Sequence, residues 1–222
     1  MVPDPMVQLS VHSLPSADKA DAQRTRMGRL KMLLVWAVCA APVVASYFMY
    51  YVVRPEGRTN HGALIQPVRA MPGPKELPLH DLRGAPVLPA SLKGQWLLVS
   101  VAGGACDAAC EKTLYLQRQL RESLGRDKDR VDRVWLVNDD APVRQALLPA
   151  LQQATVLRAA PADLARWLQP EAGHQLADHL YLVDPRGDWM MRFPSGIDFN
   201  KAKRDLTRLL KASEAWDEAG RP

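Results

Sequence analysis

Residues 95–120 read QWLLVSVAGGACDAACEKTLYLQRQL and place two cysteines between an apolar run and a helical repeat. The run from 96 to 101 is typical of a strand that is buried on both faces. After the glycine loop, Asp107 is a suitable N-cap, and apolar residues recur with a helical period until Gly125. The sequence therefore predicts a strand, a loop and a helix whose first turn carries Cys106 and Cys110.

The segments around this unit alternate between strand and helix patterns. Strands are predicted at residues 77–82, 86–88, 131–137, 155–157, 179–183 and 189–193, and helices at 141–152, from 161 onward, and from 198 or 200 to about 212. The last two strands flank DPRG at 184–187, a strong turn signal. This order predicts an α/β domain, a thioredoxin-like mixed sheet flanked by helices.

A long apolar segment precedes the domain. Residues 32–53 contain no charged side chain and would form a helix of about 33 Å, enough to cross a bilayer core. Basic residues cluster before it, at Arg24, Arg26, Arg29 and Lys31. Because basic flanks stay in the cytoplasm, we expect a single-pass protein of a bacterial inner membrane, with a cytoplasmic N-terminus and a periplasmic C-terminal domain.

A cleaved signal peptide is the alternative interpretation of this segment. Ala40, Ala41 and Ala45 are small residues of the kind found near a cleavage site. The apolar run continues well past them, and the apolar cores of signal peptides are shorter, so an uncleaved anchor is favoured. Cys39 lies inside the anchor and is expected to be inert, because buried thiols form thiolates poorly.

Composition divides the chain into five parts. These are a cytoplasmic tail (1–31), a transmembrane anchor (32–53), a proline-containing tether (54–76), the thioredoxin-like domain (77–213) and a C-terminal tail (214–222). The net charge of +5 is modest, and its clearest basic cluster adjoins the anchor. That cluster is a membrane-topology signal, so we expect no nucleic-acid partner.

Two thiols at the start of a helix have two chemical uses. The helix N-terminus favours thiolates, which either form a disulfide or bind Cu(I) together with a third donor. Disulfides persist in the periplasm, so an oxidised Cys106–Cys110 pair is one resting state. Asp107 and Glu111 disfavour the thiolates and favour a bound cation, whereas Lys112 partly offsets them. The remaining alternative is a structural disulfide or two unrelated thiols.

Five histidines are candidates for the third ligand. His179 is preferred because it opens the hairpin strand that this fold places beside the cysteine loop, and His174 is a less favoured substitute. An ordinary hydrogen-bonded strand histidine is an equal alternative for His179. His12, His61 and His80 fall in the cytoplasmic tail, the tether and the first strand of the domain.

Other metal-binding and catalytic patterns are weak. The two cysteines with His174 and His179 are spaced too widely for a zinc finger. Met190 and Met191 are expected to pack in the core rather than to bind copper. The sequence contains no phosphate loop, nucleophilic serine motif or evident catalytic carboxylate pair.

These residues resemble the Sco (SenC) family, membrane-anchored copper proteins that assist cytochrome c oxidase assembly. The similarity covers about residues 79–210 and includes LHDLRGAPV (79–87), LKGQWLL (92–98), the Cys106-x-x-x-Cys110 pair with KTL (112–114), and LVDPRG (182–187). The resemblance implies one copper ion, held by both cysteines and a histidine. It also implies a partner, either the copper-site subunit of a haem–copper oxidase or another assembly factor.

The chain departs from the family pattern at three places. Glu111 stands where the family usually has proline, and AGGA at 102–105 replaces an aromatic-rich loop. His174 and His179 lie on either side of the position where the family's histidine normally lies.

Three functions therefore follow from the sequence. The first is a membrane-anchored assembly factor for cytochrome c oxidase, which delivers copper or reduces client thiols through Cys106, Cys110 and His179, rather than a turnover enzyme. The second is a metal-independent periplasmic thiol–disulfide oxidoreductase, with Cys106 as nucleophile and Cys110 as resolving thiol. The third is a non-catalytic domain that binds a partner.

Overall fold

The structure is a computed structural model that describes residues 19–53 and 60–217. The chain divides into two units, residues 1–58 and 59–222. Helix α1 belongs to the first unit. This helix, Lys19–Phe48, continues into a π-helical turn, Met49–Val53. Within the described ranges it is the one helix long and apolar enough to cross a membrane, over Thr25–Val52. Its apolar side chains are exposed on all sides, as a lipid-facing helix requires.

The second unit is built on a mixed eight-stranded sheet, ordered β1-β8-β7-β4-β5-β6-β2-β3. Its strands are β1 (Ala63–Ala70), β2 (Leu79–His80), β3 (Pro86–Val87), β4 (Trp96–Ala102), β5 (Val131–Val137), β6 (Ala154–Arg158), β7 (Leu180–Val183) and β8 (Asp188–Phe193). Strands β4, β5 and β6 run parallel to one another, and the other neighbouring strands pair antiparallel. The predicted α/β class with a mixed sheet is confirmed.

Three helices accompany the sheet within residues 60–217. They are α2 (Ala108–Glu122), α3 (Pro161–Trp167) and α4 (Phe199–Ser213). Short 3-10 turns lie at Pro89–Leu92, Gly125–Arg130, Gln145–Leu151 and Leu176–Asp178. Asp198 caps α4 by accepting the backbone N–H of Lys201 at 3.0 Å, so the helix starts at the first of the two positions, 198 and 200, that the sequence predicted.

Strand β4 lies at the centre of the sheet with both faces buried. Leu97 and Val99 pack in a cluster with α3, whereas Trp96 and Leu98 pack on the opposite face against α2 and α4. The continuous apolar run is therefore explained by burial on both sides, as predicted. Because β4 is fixed in this way, the loop and helix that follow it start from a rigid element.

The structure differs from the sequence prediction at two elements. Strand β1 pairs antiparallel with β8, although its residues fall in the stretch predicted as a tether. Pro67 suggested an unstructured linker, but β1 is an edge strand, where proline is tolerated. The helix predicted at 141–152 is only the 3-10 turn Gln145–Leu151, which has Pro149 inside it.

Residues just after α4 are held by a buried ionic network. The carboxylate of Asp217 accepts hydrogen bonds from the guanidinium of Arg130 at 2.7 Å, the indole of Trp96 at 2.7 Å and the hydroxyl of Ser213 at 3.2 Å. Asp217 thus ties the end of the domain to the start of β4, inside a stretch that composition had assigned to a tail.

Candidate redox and metal site

Cys106 and Cys110 form a disulfide where β4 leads into α2, with a Cα–Cα distance of 5.2 Å. Asp107 is the N-cap of α2 and accepts the backbone N–H of Cys110 at 2.9 Å, which confirms the predicted cap. Cys110 is the third residue of the helix, so its sulfur lies in the first turn, where free N–H groups favour a thiolate.

Cys106 has an unusual backbone conformation. Its φ angle is +46°, in the left-handed region that residues other than glycine seldom adopt. Such a conformation costs of the order of 1–3 kcal/mol and occurs often at functional sites. The backbone N–H of Cys106 donates to the carbonyl of Gly103 at 3.1 Å, so the loop itself holds this turn.

The loop before the cysteines is packed too closely for side chains. A Cβ atom on Gly104 would lie 2.2 Å from the carbonyl oxygen of Ala141, a backbone atom that cannot move aside easily. The N–H of Gly104 donates to the carboxylate of Asp139 at 2.8 Å. The glycines thus dock the cysteine loop against the segment that follows β5, which explains why AGGA occupies this position.

A cavity of about 350 Å³ opens onto the disulfide. Both cysteines line it, although Cys106 is only 3% and Cys110 only 8% exposed. Its opposite wall comes from the segment before β7, through Gln175, Ala177 and Asp178. The disulfide is therefore largely shielded from bulk solvent but borders a cavity of this volume.

The wall before β7 is positioned by hydrogen bonds. The Tyr181 hydroxyl donates to the carbonyl of Leu176 at 3.1 Å, and Asp178 accepts the N–H of Gln175 at 2.8 Å. That N–H bond, followed by the imidazole of His174, lowers the pKa of the Asp178 carboxyl. Asp178 is consequently an anion near neutral pH and adds negative charge to the cavity.

Glu111 follows the second cysteine, and its charge is offset by a partner distant in sequence. Its carboxylate pairs with the guanidinium of Arg144 across the surface of the domain. Both side chains are nearly half exposed, so the pair contributes little to stability. It does, however, reduce the negative charge beside Cys110, and this effect adds to that of Lys112.

His179 is fully buried, and both of its ring nitrogens already have partners. Nδ1 lies 3.0 Å from the carbonyl oxygen of Phe193, and Nε2 accepts the backbone N–H of Glu171 at 3.1 Å. This pattern requires the neutral tautomer protonated at Nδ1. Burial lowers the pKa of the His179 imidazole, which agrees with a neutral ring. Metal ligation by His179 stays a prediction, and it requires one of these hydrogen bonds to break.

The other histidines lie in different surroundings. His174 is partly exposed, with Nδ1 3.4 Å from a carboxylate oxygen of Asp178, so it stands beside the cavity wall. His80 is exposed on β2, and His61 accepts the backbone N–H of Asp198 at 3.1 Å. His12 lies outside the described residues. Of the histidines that the structure describes, His174 and His179 are therefore the two nearest in sequence to the cavity wall.

The side chains around the cysteines offer two sulfur ligands for a metal ion rather than a preformed site with three ligands. Reduced Cys106 and Cys110 would offer two thiolates, which are soft ligands suited to Cu(I). Within residues 19–53 and 60–217, however, no three His, Cys, Asp or Glu side chains are grouped so as to hold a metal ion. The reduced pair thus fits Cu(I), whereas a third ligand requires rearrangement of the wall before β7.

The neutral state of His179 predicts a pH dependence of stability. In the unfolded chain this imidazole protonates near pH 6.5, whereas the folded protein keeps it neutral to lower pH. Below about pH 6.5 the unfolded state therefore binds more protons than the folded state. The stability that the neutral His179 imidazole contributes to the folded state is lost as the pH falls. Between pH 7.5 and 5.5 we expect the free energy of unfolding to drop more steeply in the wild type than in His179→Gln.

Urea unfolding of the full chain in detergent micelles, followed by tryptophan fluorescence, measures this difference. His80→Gln is the control, because the His80 side chain is exposed, and it should keep the wild-type pH dependence. Equal pH dependence in wild type and His179→Gln would show that the imidazole titrates alike in the folded and unfolded states.

Comparisons with known proteins agree with this architecture. A family model described as transmembrane-like, thioredoxin-like, C-terminal domain matches residues 96–213, and a transmembrane-like N-terminal domain model matches residues 21–53. The N-terminal match and the apolar helix together support a membrane anchor. The sequence has no match among curated proteins.

Solved structures of similar fold include Sco proteins. Yeast Sco1 with copper bound is 14% identical, with a TM-score of 0.52, and the match covers 69% of this chain and all of that one. Bradyrhizobium japonicum ScoI with copper bound is 21% identical, with a TM-score of 0.43, covering 60% and 96% of the two chains. At 14% identity, the likeness to the yeast protein concerns the fold alone. It confirms that this chain resembles the Sco family in fold. Because the thioredoxin-like model spans more than half of its length, the chain belongs to the transmembrane-like, thioredoxin-like family.

Proposed function

We propose that this chain is a membrane-anchored assembly factor in which Cys106 and Cys110 form a reversible redox pair that also carries Cu(I) when reduced. The observation that supports this most directly is the disulfide at the N-terminal end of α2, facing a cavity of about 350 Å³. A purely structural bridge has no need of such a cavity. A pair that exchanges with a client needs one, because the attacking sulfur must reach it.

The thiol chemistry requires only the two cysteines of this chain and those of a client. In the reduced protein, the Cys106 thiolate attacks a client disulfide, forms a mixed disulfide and releases one client thiolate. The Cys110 thiolate then attacks the Cys106 sulfur, which releases the second client thiolate and closes the Cys106–Cys110 disulfide. The two electrons that reduce the client come from the two thiolates, and a separate dithiol donor restores them.

Copper is cargo in this proposal. The shared fold with copper-bound yeast Sco1 and the two thiols at the strand-to-helix junction favour Cu(I) held by Cys106 and Cys110. We assign the third ligand to His179, at the cost of its hydrogen bond to Phe193 or Glu171, with His174 as the substitute.

We propose the compartment from the basic flank of the apolar segment and the client from the resemblance to the Sco family. We assign the C-terminal domain to the periplasm, the N-terminus to the cytoplasm and residues 32–53 to the bacterial inner membrane. The client would be the copper-site subunit of a haem–copper oxidase, or another assembly factor that acts on it. An oxidising compartment is consistent with the disulfide, since such bonds persist there.

Cu(I) titration of the reduced full chain in detergent micelles, with Cys39 replaced by serine, tests copper carriage. One equivalent of copper should bind and withstand competition from a chromophoric Cu(I) chelator. Cys106→Ser and Cys110→Ser should each abolish this binding, because one thiolate cannot hold the ion alone. Reduced affinity in His179→Gln but not in His80→Gln would assign the third ligand.

The metal-independent oxidoreductase is the second candidate. The engagement of both His179 nitrogens favours it, because a carrier without a free third ligand binds copper less well. Absence of stoichiometric Cu(I) binding, together with a reversible Cys106–Cys110 couple, would select this function over copper carriage.

A further inference from the structure

The exposed face of α4 carries basic side chains that the cysteine site does not use. Lys201, Arg204, Arg208 and Lys211, here called the α4 basic stripe, recur at helical spacing and therefore lie along one face. All four side chains are exposed, and they span about 15 Å of helix. The opposite face of α4 packs its apolar side chains into the core, so the stripe points away from the sheet.

The charge of the stripe is largely uncompensated within the domain. In residues 60–217, Lys201, Arg204 and Lys211 form no ion pair with a carboxylate. Asp198, at the start of α4, accepts the backbone N–H of Lys201 as the helix cap, and its carboxylate also interacts electrostatically with the Lys201 side chain. Lys201, Arg204 and Lys211 thus present a positive surface to an anionic partner.

A polar cavity of about 350 Å³ opens at the start of the stripe. It is lined by Asn60, His61, Lys201, Arg204 and Asp205. The Asp205 carboxylate accepts the backbone N–H of His61 at 2.7 Å and is itself buried, so it serves the local backbone. Lys201 and Arg204 are consequently the side chains of this cavity that can hold a phosphate group.

The cavity is close in sequence to the apolar helix. Asn60 follows Val53, the last residue of the helical segment, by only seven positions. Since an extended chain advances at most about 3.6 Å per residue, this connection reaches no more than about 25 Å. Whenever α1 lies in a bilayer, the stripe is therefore kept at a high effective concentration near the lipid surface.

We propose that the α4 basic stripe and its cavity dock on the anionic phospholipid headgroups of the membrane that holds α1. Each Lys or Arg near an anionic surface strengthens such docking about fivefold, and an arginine fork can grip a lipid phosphate with two hydrogen bonds. Docking would restrict the orientation of the domain, and so define where the cysteine cavity meets a client in the same membrane. The inference rests on the membrane anchor but not on the redox chemistry.

Lysine acetylation of the full chain in lipid nanodiscs, read residue by residue by mass spectrometry, tests this proposal. We compare discs of phosphatidylcholine alone with discs of equal parts phosphatidylcholine and phosphatidylglycerol. Lys201 and Lys211 should react at least about threefold more slowly in the anionic discs, whereas Lys75 and Lys112 should react equally in both. In 1 M salt, where charges are screened within about 3 Å, the difference should vanish.

Charge reversal provides the matched control. Arg204→Glu/Arg208→Glu should restore rapid acetylation of Lys201 and Lys211 in anionic discs, and Lys75→Glu/Arg83→Glu should not. Inorganic phosphate added to phosphatidylcholine discs should give no protection, which separates a lipid surface from a site for the free ion. Equal rates for Lys201 and Lys211 in both kinds of disc, or protection spread equally over Lys75 and Lys112, would overturn the proposal.

Discussion

Cys110→Ser, in a chain whose Cys39 is also serine, is expected to accumulate mixed disulfides between Cys106 and client proteins. The resolving thiol is gone, so the step that releases the client cannot occur. In the parent chain, resolution closes the Cys106–Cys110 disulfide and adducts should be scarce. We expect an increase of at least about tenfold in adducts on non-reducing gels after alkylation of intact cells.

The reciprocal variant decides the order of the two sulfurs. With Cys106 assigned as the nucleophile, Cys106→Ser in the same background should form few adducts, although Cys110 is the more exposed of the two thiols, at 8% against 3%. More adducts with Cys106→Ser than with Cys110→Ser would reverse the assignment of nucleophile and resolving thiol. No adducts with either variant would contradict exchange chemistry altogether.

Asp217→Ala is expected to lower the free energy of unfolding by about 3–5 kcal/mol. The Asp217 side chain is 1% exposed and that of Arg130 is 7% exposed, so removing the carboxylate leaves a buried cation with only its longer ion pair to Asp127, at 3.4 Å. The Trp96 indole loses its acceptor in the same variant. This is a large share of the total stability of a single domain, and the variant should unfold at a much lower urea concentration.

Asp129→Ala provides the matched control for that measurement. Asp129 also pairs with an arginine, Arg121, at 3.2 Å, but its side chain is 67% exposed. Loss of this pair should cost less than about 1 kcal/mol, because the Asp129 carboxylate is well solvated and the Arg121 guanidinium keeps Glu122 as a partner at 3.1 Å. A change in Asp217→Ala as small as that in Asp129→Ala would show that the buried network contributes no more than a surface pair.

Much of the site could be predicted from local sequence, because local physics determines it. Asp107 precedes the helical repeat and caps it, and the apolar run of β4 requires burial on both faces. The DPRG turn fixes the hairpin of β7 and β8. These features depend on residues within a few positions of one another.

Contacts between residues distant in sequence determine two features that local sequence patterns did not predict. Pro67 made the stretch around it look like a linker, yet that stretch pairs with β8 because the edge of the hairpin is otherwise open. The buried role of Asp217 likewise depends on Arg130, far away in sequence. Neither partner is visible in a local hydrophobic period.

The surroundings of the cysteines show the same limit. Gln175 and Asp178 line the cavity, but they could be found only from the fold, since the chain separates them widely from Cys106. The partners of the His179 ring are backbone groups, which carry no sequence signal. The position of His179 at the start of the hairpin could therefore be predicted from the sequence, whereas the hydrogen bonds of its two ring nitrogens could not.

The reduction potential of the Cys106–Cys110 pair tests the central claim most directly. The full chain in detergent micelles, with Cys39 replaced by serine, is equilibrated with thiol–disulfide buffers, and the oxidised fraction is read by alkylation and mass spectrometry. A working pair should titrate reversibly with a potential between about −300 and −180 mV. A potential below about −300 mV would identify an inert structural bridge and contradict the account.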